Sequence, residues 1–407
     1  KVNDFNSDFQ NYVTNNTQLT SAENNSYQSI KNYSLKADYE LPLDWANLSF
    51  GGKTSSTTTE SAVMTRFYNR TNNQLDLAND NLFEYTENIQ ALYLSANKQI
   101  SEKIDAKIGL RGEYTQTKAK SISLDETNTN AYFKLFPTLY IAYTPNDNHT
   151  FSASYGRRIG RANFQQMNPA RDYSTPKSYV LGNPFLQPSF INNYELGYSY
   201  KDLLNVQMYF GKMTNQLSQV TRHNPQEDSQ IFRHENIADM TQAGGEFSLT
   251  FSPLKFWETS IETWFNYSET TPYDRSIYES KYYGWMVQSS MDNTFMLNSA
   301  KTLQATLTYG YHFPSKGIGR FDASSYLDIG FRYFALDKKL TLSLVFEDIL
   351  RTASARHYDN TSNIPQAFLQ YYDTQFARLS LSYEFGNKKI SVKQRAIGNE
   401  EERNRSN

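Results

Sequence analysis

The sequence predicts an all-β fold: an antiparallel transmembrane β-barrel of the bacterial outer membrane with about sixteen strands in this chain. Three observations predict it. Apolar residues recur at every second position in segment after segment, the period of a strand with two unlike faces. The connections alternate between tight turns and long polar stretches, the asymmetry of a barrel with turns at one rim and loops at the other. Aromatic residues are abundant, 31 Tyr and 26 Phe in 407 residues, and Tyr at strand ends is what an interfacial girdle requires. No apolar run approaches the roughly 18 to 20 residues of a spanning helix, which excludes a helical membrane protein. A barrel stays open, because only alternate residues of each strand meet lipid and the polar lumen residues dilute them.

Taken in order, a weak first pair of strands precedes Leu41. The pattern Tyr33-x-Leu35-x-Ala37-x-Tyr39-x-Leu41 sets one face against Ser34, Lys36, Asp38 and Glu40 on the other, and consecutive polar inward residues of this kind need water. After a short turn at Leu43-Asp44-Trp45, Leu48 and Phe50 resume the outward face of a strand that rises through Thr/Ser-rich sequence to Arg70. A polar loop is expected over 71–81, then strands centred near 92 and 109 around a turn at Ser101-Glu-Lys103. The second of these opposes Ile104, Ala106, Ile108 and Leu110 to Asp105, Lys107, Gly109 and Arg111. Leu135, Leu139, Ile141 and Tyr143 lead to a turn at 145–148. Tyr198 to Asp202 turns into Val206, Met208 and Phe210, and Phe247, Leu249 and Phe251 turn into Ile261 and Phe265. A strand near 285–297 turns into Leu303, Ala305, Leu307, Tyr309 and Tyr311. Leu327, Ile329, Phe331 and Tyr333 turn at Asp337 into Leu340, Leu342, Leu344 and Phe346, and the last strand carries Leu379, Leu381, Tyr383 and Phe385. Facing is ambiguous near Ala91 to Ala96 and near Trp285 to Asp292, where either alternate set could meet lipid. One barrel domain is expected over 1–386. The tail 387–407 has six Lys/Arg, three Glu and no aromatic residue, and is expected to be a disordered periplasmic extension.

The most informative stretch runs from Phe151 to Tyr200. Its two ends alternate as strands. The residues between hold four of the twelve prolines (Pro169, Pro176, Pro184, Pro188) with Gly160 and Gly182, which forbids continuous helix or central strand and demands a long shaped loop. The run Ser154-Tyr155-Gly-Arg157-Arg158-Ile-Gly-Arg161, then Asn168-Pro169, Gly182-Asn183-Pro184-x-Leu186-x-Pro188 and Asn193-Tyr194-Glu195-Leu196-Gly197-Tyr198 resembles the signature hairpin of Bacteroidota outer-membrane barrels of the TonB-dependent receptor type. The resemblance continues to Arg378-Leu-Ser-Leu-Ser-Tyr-Glu-Phe-Gly-Asn-Lys-Lys389 and, more weakly, covers Gly109-Leu110-Arg111-Gly-Glu-Tyr114. Gln187 and Ser189 stand where that family commonly has Lys and Glu. The resemblance implies an active transporter in which an N-terminal plug sits inside a twenty-two-stranded barrel and is pulled on by the energy-coupling protein TonB. This chain shows no plug, TonB box or signal peptide, so the expectation is the C-terminal barrel part of such a receptor, with long loops extracellular and short turns periplasmic.

Other chemistry is weak in the sequence. Cysteine is absent, so no disulfide or thiol chemistry is available, and a net charge of -2 gives no reason to expect nucleic acid. His149, His223, His234, His312 and His357 lie far apart, Asn146-Asp147-Asn148 lacks the rest of a calcium loop, and Gly317-Ile-Gly319 lacks the third glycine of a dinucleotide site. No metal or other cofactor and no enzyme activity are expected. Arg157, Arg158, Arg161 and Arg171 are the candidate ligand-binding residues, since guanidinium groups at a barrel mouth can hold an anion bidentately. The competing reading pairs them with acidic residues such as Glu195 and Asp172, which would pin the long loop. The expected function is ligand uptake across the outer membrane. Expected partners are outer-membrane lipid, TonB-type coupling through a plug, an extracellular ligand and a surface lipoprotein. The alternative is a complete sixteen-stranded passive pore, and a third reading is an outer-membrane barrel enzyme.

Overall fold

The computed structural model describes residues 2–13, 16–69, 74–275, 281–317, 319–359, 365–369, 371–385 and 405. The first strands are β1 (Val2–Val13), β2 (Asn16–Pro42), β3 (Asn47–Asn69), β4 (Gln74–Ser101), β5 (Ile104–Ser121), β6 (Glu126–Asn146) and β7 (His149–Gly160). The long connection that follows holds helix α1 (Phe164–Met167) and the small strands β8 (Arg171–Thr175) and β9 (Ser178–Leu181). Then come β10 (Ser189–Tyr200), β11 (Leu204–Asn224), β12 (Ser229–Leu254), β13 (Trp257–Pro272), β14 (Tyr282–Met296) and β15 (Leu303–His312). The remainder are β16 (Ser315–Lys316), β17 (Arg320–Phe321), β18 (Ser324–Ala335), β19 (Leu340–Glu347), β20 (Arg356–Asp359), β21 (Gln366–Leu369) and β22 (Phe376–Tyr383).

Sixteen of these strands form one antiparallel wall, each laddered to the next from β1 through β7, then β10 to β15, β18, β19 and β22. Among the described residues no ladder joins β1 to β22. The strands β16, β17, β20 and β21 form a separate small sheet.

Register turns the sixteen local patterns into one surface. Side chains directly opposite in a ladder share a face, so pairing carries facing from strand to strand. Tyr39 lies opposite Phe50, Phe50 opposite Leu94, Leu94 opposite Leu110, and Ile108 opposite Leu139. The belt continues through Ile141 and Ala153, Leu196 and Met208, and Val206 and Phe247. It closes its run with Leu307 opposite Ile329, Phe331 opposite Leu344, and Leu342 opposite Leu381. A slip of one residue anywhere would turn a strand's apolar set into the polar lumen, so each ladder reinforces its neighbours. The same logic resolves the two ambiguous strands. Leu92, Leu94 and Ala96 face outward with Leu110 and Ile108, and Trp285, Val287 and Met291 face outward with Tyr267, Phe265 and Ile261.

The opposite face is polar. Lys36 pairs with Asp38 at 2.8 Å, the Tyr93 hydroxyl donates to Asp38, Arg111 pairs with Glu113 at 2.6 Å, and Arg378 pairs with Glu347 at 3.3 Å. One expectation needs correction. Within 71–81, residues 74–81 are strand and not loop, since β4 begins at Gln74, and 71–73 lie outside the described residues. A strand of 28 residues such as β4 extends roughly 90 Å at about 3.3 Å per residue. A membrane strand needs only about 9–11 residues, so the rest rises past the belt, where the outer face meets water and the inner face of β4 buries Phe83, Tyr85 and Ile89. The charged tail expectation falls on 387–407, which lies outside the described residues apart from Arg405.

Candidate functional site

Signature strands β7 and β10 pair along their whole length, from Gly160 opposite Ser189 to His149 opposite Tyr200. The connection between them folds back onto the polar face of the wall. Its first turn is set by Asn163, whose side chain accepts from the Gln166 amide at 2.9 Å while the Gln166 side chain accepts from the Asn163 amide at 2.9 Å. This capping box starts α1 and satisfies two amides that would otherwise be orphaned. One turn of helix then places Phe164 and Met167 against Phe83, Tyr85, Ala119, Ala162 and Leu186, a buried apolar cluster inside the barrel. Gly182 allows the return strand to cross: a Cβ there would stand 2.1 Å from the Asn168 carbonyl oxygen.

Charge holds the same loop at its root and tip. The Arg161 side chain is 5% exposed and its guanidinium donates to the Glu113 carboxylate, 4% exposed, and to Thr115 Oγ1 at 3.3 Å. Glu113 also receives Arg111, and Glu87 lies 3.9 Å from Arg161 Nε. Arg405 forks onto Glu87 with bonds of 3.1 and 2.6 Å. At the tip, β9 pairs in parallel with Gln230–Arg233 of β12. Arg171 donates to both oxygens of Glu227 at 3.1 Å and lies 4.7 Å over the Tyr179 ring, while Lys177 pairs with Asp228 at 2.5 Å. The Arg171 hydrogen bonds hold the Glu227 carboxyl below the ordinary carboxylate range.

The structure therefore does not gather the four sequence-selected arginines around one point. Arg161 is buried in the lumen and Arg171 is tied to the β11–β12 hairpin, with Glu113 and Glu227 as partners where Glu195 and Asp172 were expected. The reason is topological: the loop turns inward, bringing Arg161 to β5 and Arg171 to the far hairpin. Arg157 packs over the Phe190 ring at 5.3 Å, and Arg158 is exposed. The Gln187 side chain accepts from Asn130 Nδ2 at 2.8 Å while its backbone amide donates to Asn236 Oδ1 at 2.8 Å, and Ser189 donates to the Gly160 carbonyl at 3.2 Å.

Between the loop and the inner wall of β2 and β3 lies a cavity of about 550 Å³, lined by Asn24, Ser26, Gln28, Ser61, Gln165, Asn168, Asp172 and His234 among others. It sits on the loop side of the belt, since Tyr33 is the belt residue of β2 nearest to it. His234 Nδ1 and Asn24 Oδ1 are buried there without a hydrogen-bond partner, and burial pushes the His234 imidazole below its ordinary pKa. The sequence carried no signal for this cavity or for Glu87, because these residues converge from strands far apart in the chain.

A family model described as the outer membrane protein beta-barrel family matches residues 1–383. The chain belongs to that family. No curated protein is similar enough in sequence to count as a relative. Among solved structures the family member resembles the siderophore receptor PiuA from Acinetobacter baumannii, with 14% identity, TM-score 0.59, and 90% of this chain and 56% of that one covered. It also resembles the ferripyoverdine receptor of Pseudomonas aeruginosa, with 12% identity, TM-score 0.58, and coverages of 94% and 53%. A third is the copper transporter OprC, with 11% identity, TM-score 0.58, and coverages of 82% and 52%. At these identities the likeness is one of fold, and the chain spans about half the length of each.

Proposed function

We propose that this chain is the barrel part of an outer-membrane receptor that takes up a ligand by TonB-type coupling through a plug supplied by further sequence. The observation that carries the reading is the interior of the barrel. Behind a continuous apolar belt lies a polar lumen whose buried carboxylates, Glu113 and Glu87, take guanidinium groups from segments that are not wall strands: Arg161 from the inward loop and Arg405 from beyond β22. A lumen built to be filled in this way suits a plugged receptor better than an open pore. Matching the fold of receptors over about half their length agrees with it. The reading places the long loops outside the cell and the short turns in the periplasm, with 1–386 as barrel and 387–407 as tail. It gives the barrel no catalytic role, and it admits a surface lipoprotein as partner at the mouth. Of the candidate anion-binding arginines, Arg157 and Arg158 keep that role, having no ion-pair partner among the described residues.

The test is uptake of ligand by cells expressing the protein with all of its native sequence. Uptake abolished by a protonophore or by loss of the energy-coupling protein is expected, and uptake indifferent to both would overturn the reading. What the edges of β1 and β22 pair with in the membrane separates the receptor reading from the passive pore, because a bilayer does not tolerate open strand edges and no ladder joins these two strands among the described residues. Cysteines at Tyr12 and Ser380 are expected not to cross-link in the native membrane. Efficient cross-linking would mean that the sixteen strands close on themselves.

A further inference from the structure

We propose that the C-terminal tail re-enters the barrel and that its Arg405 clamps the inward loop from beneath, through the Glu87 carboxylate. The proposal goes beyond the receptor reading and does not depend on it.

A buried carboxylate needs a cation, and among the described residues the wall gives Glu87 none of its own. Glu87 and Glu113 stand on the neighbouring strands β4 and β5, each side chain 4% exposed. Arg111 and Arg161 both donate to Glu113, and Arg161 donates to Thr115 as well. That leaves Glu87 with Arg161 Nε at 3.9 Å, beyond hydrogen-bond range, and with the Tyr85 hydroxyl at 3.4 Å. Arg405 meets the need. Its guanidinium donates to both Glu87 oxygens, at 3.1 and 2.6 Å, and its side chain is only 16% exposed. A forked pair of this kind is directional as well as strong, because two N–H groups fix the plane of the carboxylate.

The contact has to be made through the lumen. Strand β22 ends at Tyr383 on the turn side of the belt, where the Glu384 amide donates to the Lys339 carbonyl. Glu87 sits on the loop side, fourteen residues along β4 from its turn end at Ser101, roughly 45 Å at about 3.3 Å per residue. The twenty-two residues from Tyr383 to Arg405 can span up to about 75 Å, which covers that rise. A path outside the barrel would carry the six Lys and Arg residues of 387–407 through hydrocarbon, whereas the lumen offers them water and polar side chains. Inside, Arg405 reaches the loop itself. With Thr57, Thr59, Ala162, Phe164 and Met167 it lines a space of only about 10 Å³, so its guanidinium seals the underside of α1. The clamp thereby links the two rims of the barrel. Drawing the tail out from the turn side strips Glu87 of its cation and loosens the loop that packs above it.

The test is amide hydrogen exchange read by mass spectrometry, on the protein with all of its native sequence folded in detergent. In the parent, the peptide carrying Arg405 is expected to be protected, and Glu87→Gln is expected to speed its exchange ten-fold or more. Arg405→Met, and independently a chain ended at Asn404, are expected to speed exchange over 161–188 five-fold or more while strands β13 to β19 keep the parent's rates. Glu87→Gln combined with Arg405→Met is expected to be no faster than Arg405→Met alone, because a neutral amide no longer calls for a cation. Heat-modifiable gel migration checks that each variant keeps its barrel. The proposal is overturned if the Arg405 peptide of the parent exchanges at the rate of a free chain, if Arg405→Met leaves 161–188 at the parent's rates, if the two substitutions add, or if the belt strands loosen as much as the loop. None of these outcomes bears on energised uptake, so the receptor reading stands or falls separately.

Discussion

The outer belt from β13 to β19 and the inward loop 161–188 are built by opposite rules. In the belt, each residue's environment follows from its parity: Leu307 meets lipid and Thr308 meets the lumen, where it donates to Asp292 at 2.6 Å. In the loop, neighbours in sequence go to unrelated places. Arg157 lies over Phe190 beside an exposed Arg158, while Arg161 is buried against Glu113. The belt teaches that a repeated local pattern tolerates weak information at any one strand, because the fifteen ladders between the described wall strands share the error. The loop has no such averaging, so its position depends on a few contacts, each of which matters singly.

That difference can be broken or sharpened by substitution. The largest effect is expected at Arg161→Met, which leaves Glu113 and Glu87 buried with one cation fewer. Breaking a buried ion pair costs about 3–5 kcal/mol, and here the loss should appear as faster amide exchange confined to 161–188 with the barrel intact. Equal loosening of the belt strands would show that the loop supports the whole wall. Next is Leu307→Arg, expected to cost about 2–4 kcal/mol in a bilayer folding titration. Thr308→Arg should be tolerated, since it faces Asp292 on one side and Asp328 on the other. Equal damage from both would refute the facing. Gly182→Ala forces a Cβ into the Asn168 backbone and is expected to cost about 1–3 kcal/mol, read as proteolytic nicking of the loop without loss of heat-modifiability.

The smallest effect belongs to the exposed pair at the loop tip, worth under about 1 kcal/mol. The folded state lowers the Glu227 carboxyl from its ordinary value of 4.5, so its contribution is fully present above that pH and is lost as pH falls through the lowered value. Amide exchange over 171–181 should therefore quicken below about pH 4.5. Arg171→Gln should already be quick at neutral pH and lose that dependence. An unchanged pH profile in the variant would assign the tip's stability to the β9–β12 ladder alone.

The sequence by itself determined the barrel. Alternation at Leu303 to Tyr311, Leu327 to Tyr333 and Leu340 to Phe346 is a local property, and a bilayer leaves a strand with that pattern one way to face. It also determined that 161–188 could not be one continuous helix or a central strand, since proline and glycine act within a residue or two of where they stand. Tertiary structure decided the rest. Leu92 and Trp285 took their facing from partner strands, because their own segments are apolar at both parities. The pairing of Arg161 with Glu113, 48 residues away, and the cavity joining Asn24 to His234 follow from which way one loop folds. That choice is settled by the packing of Phe164 and Met167 on Phe83 and Tyr85, contacts between residues whose separation along the chain carries no local signal.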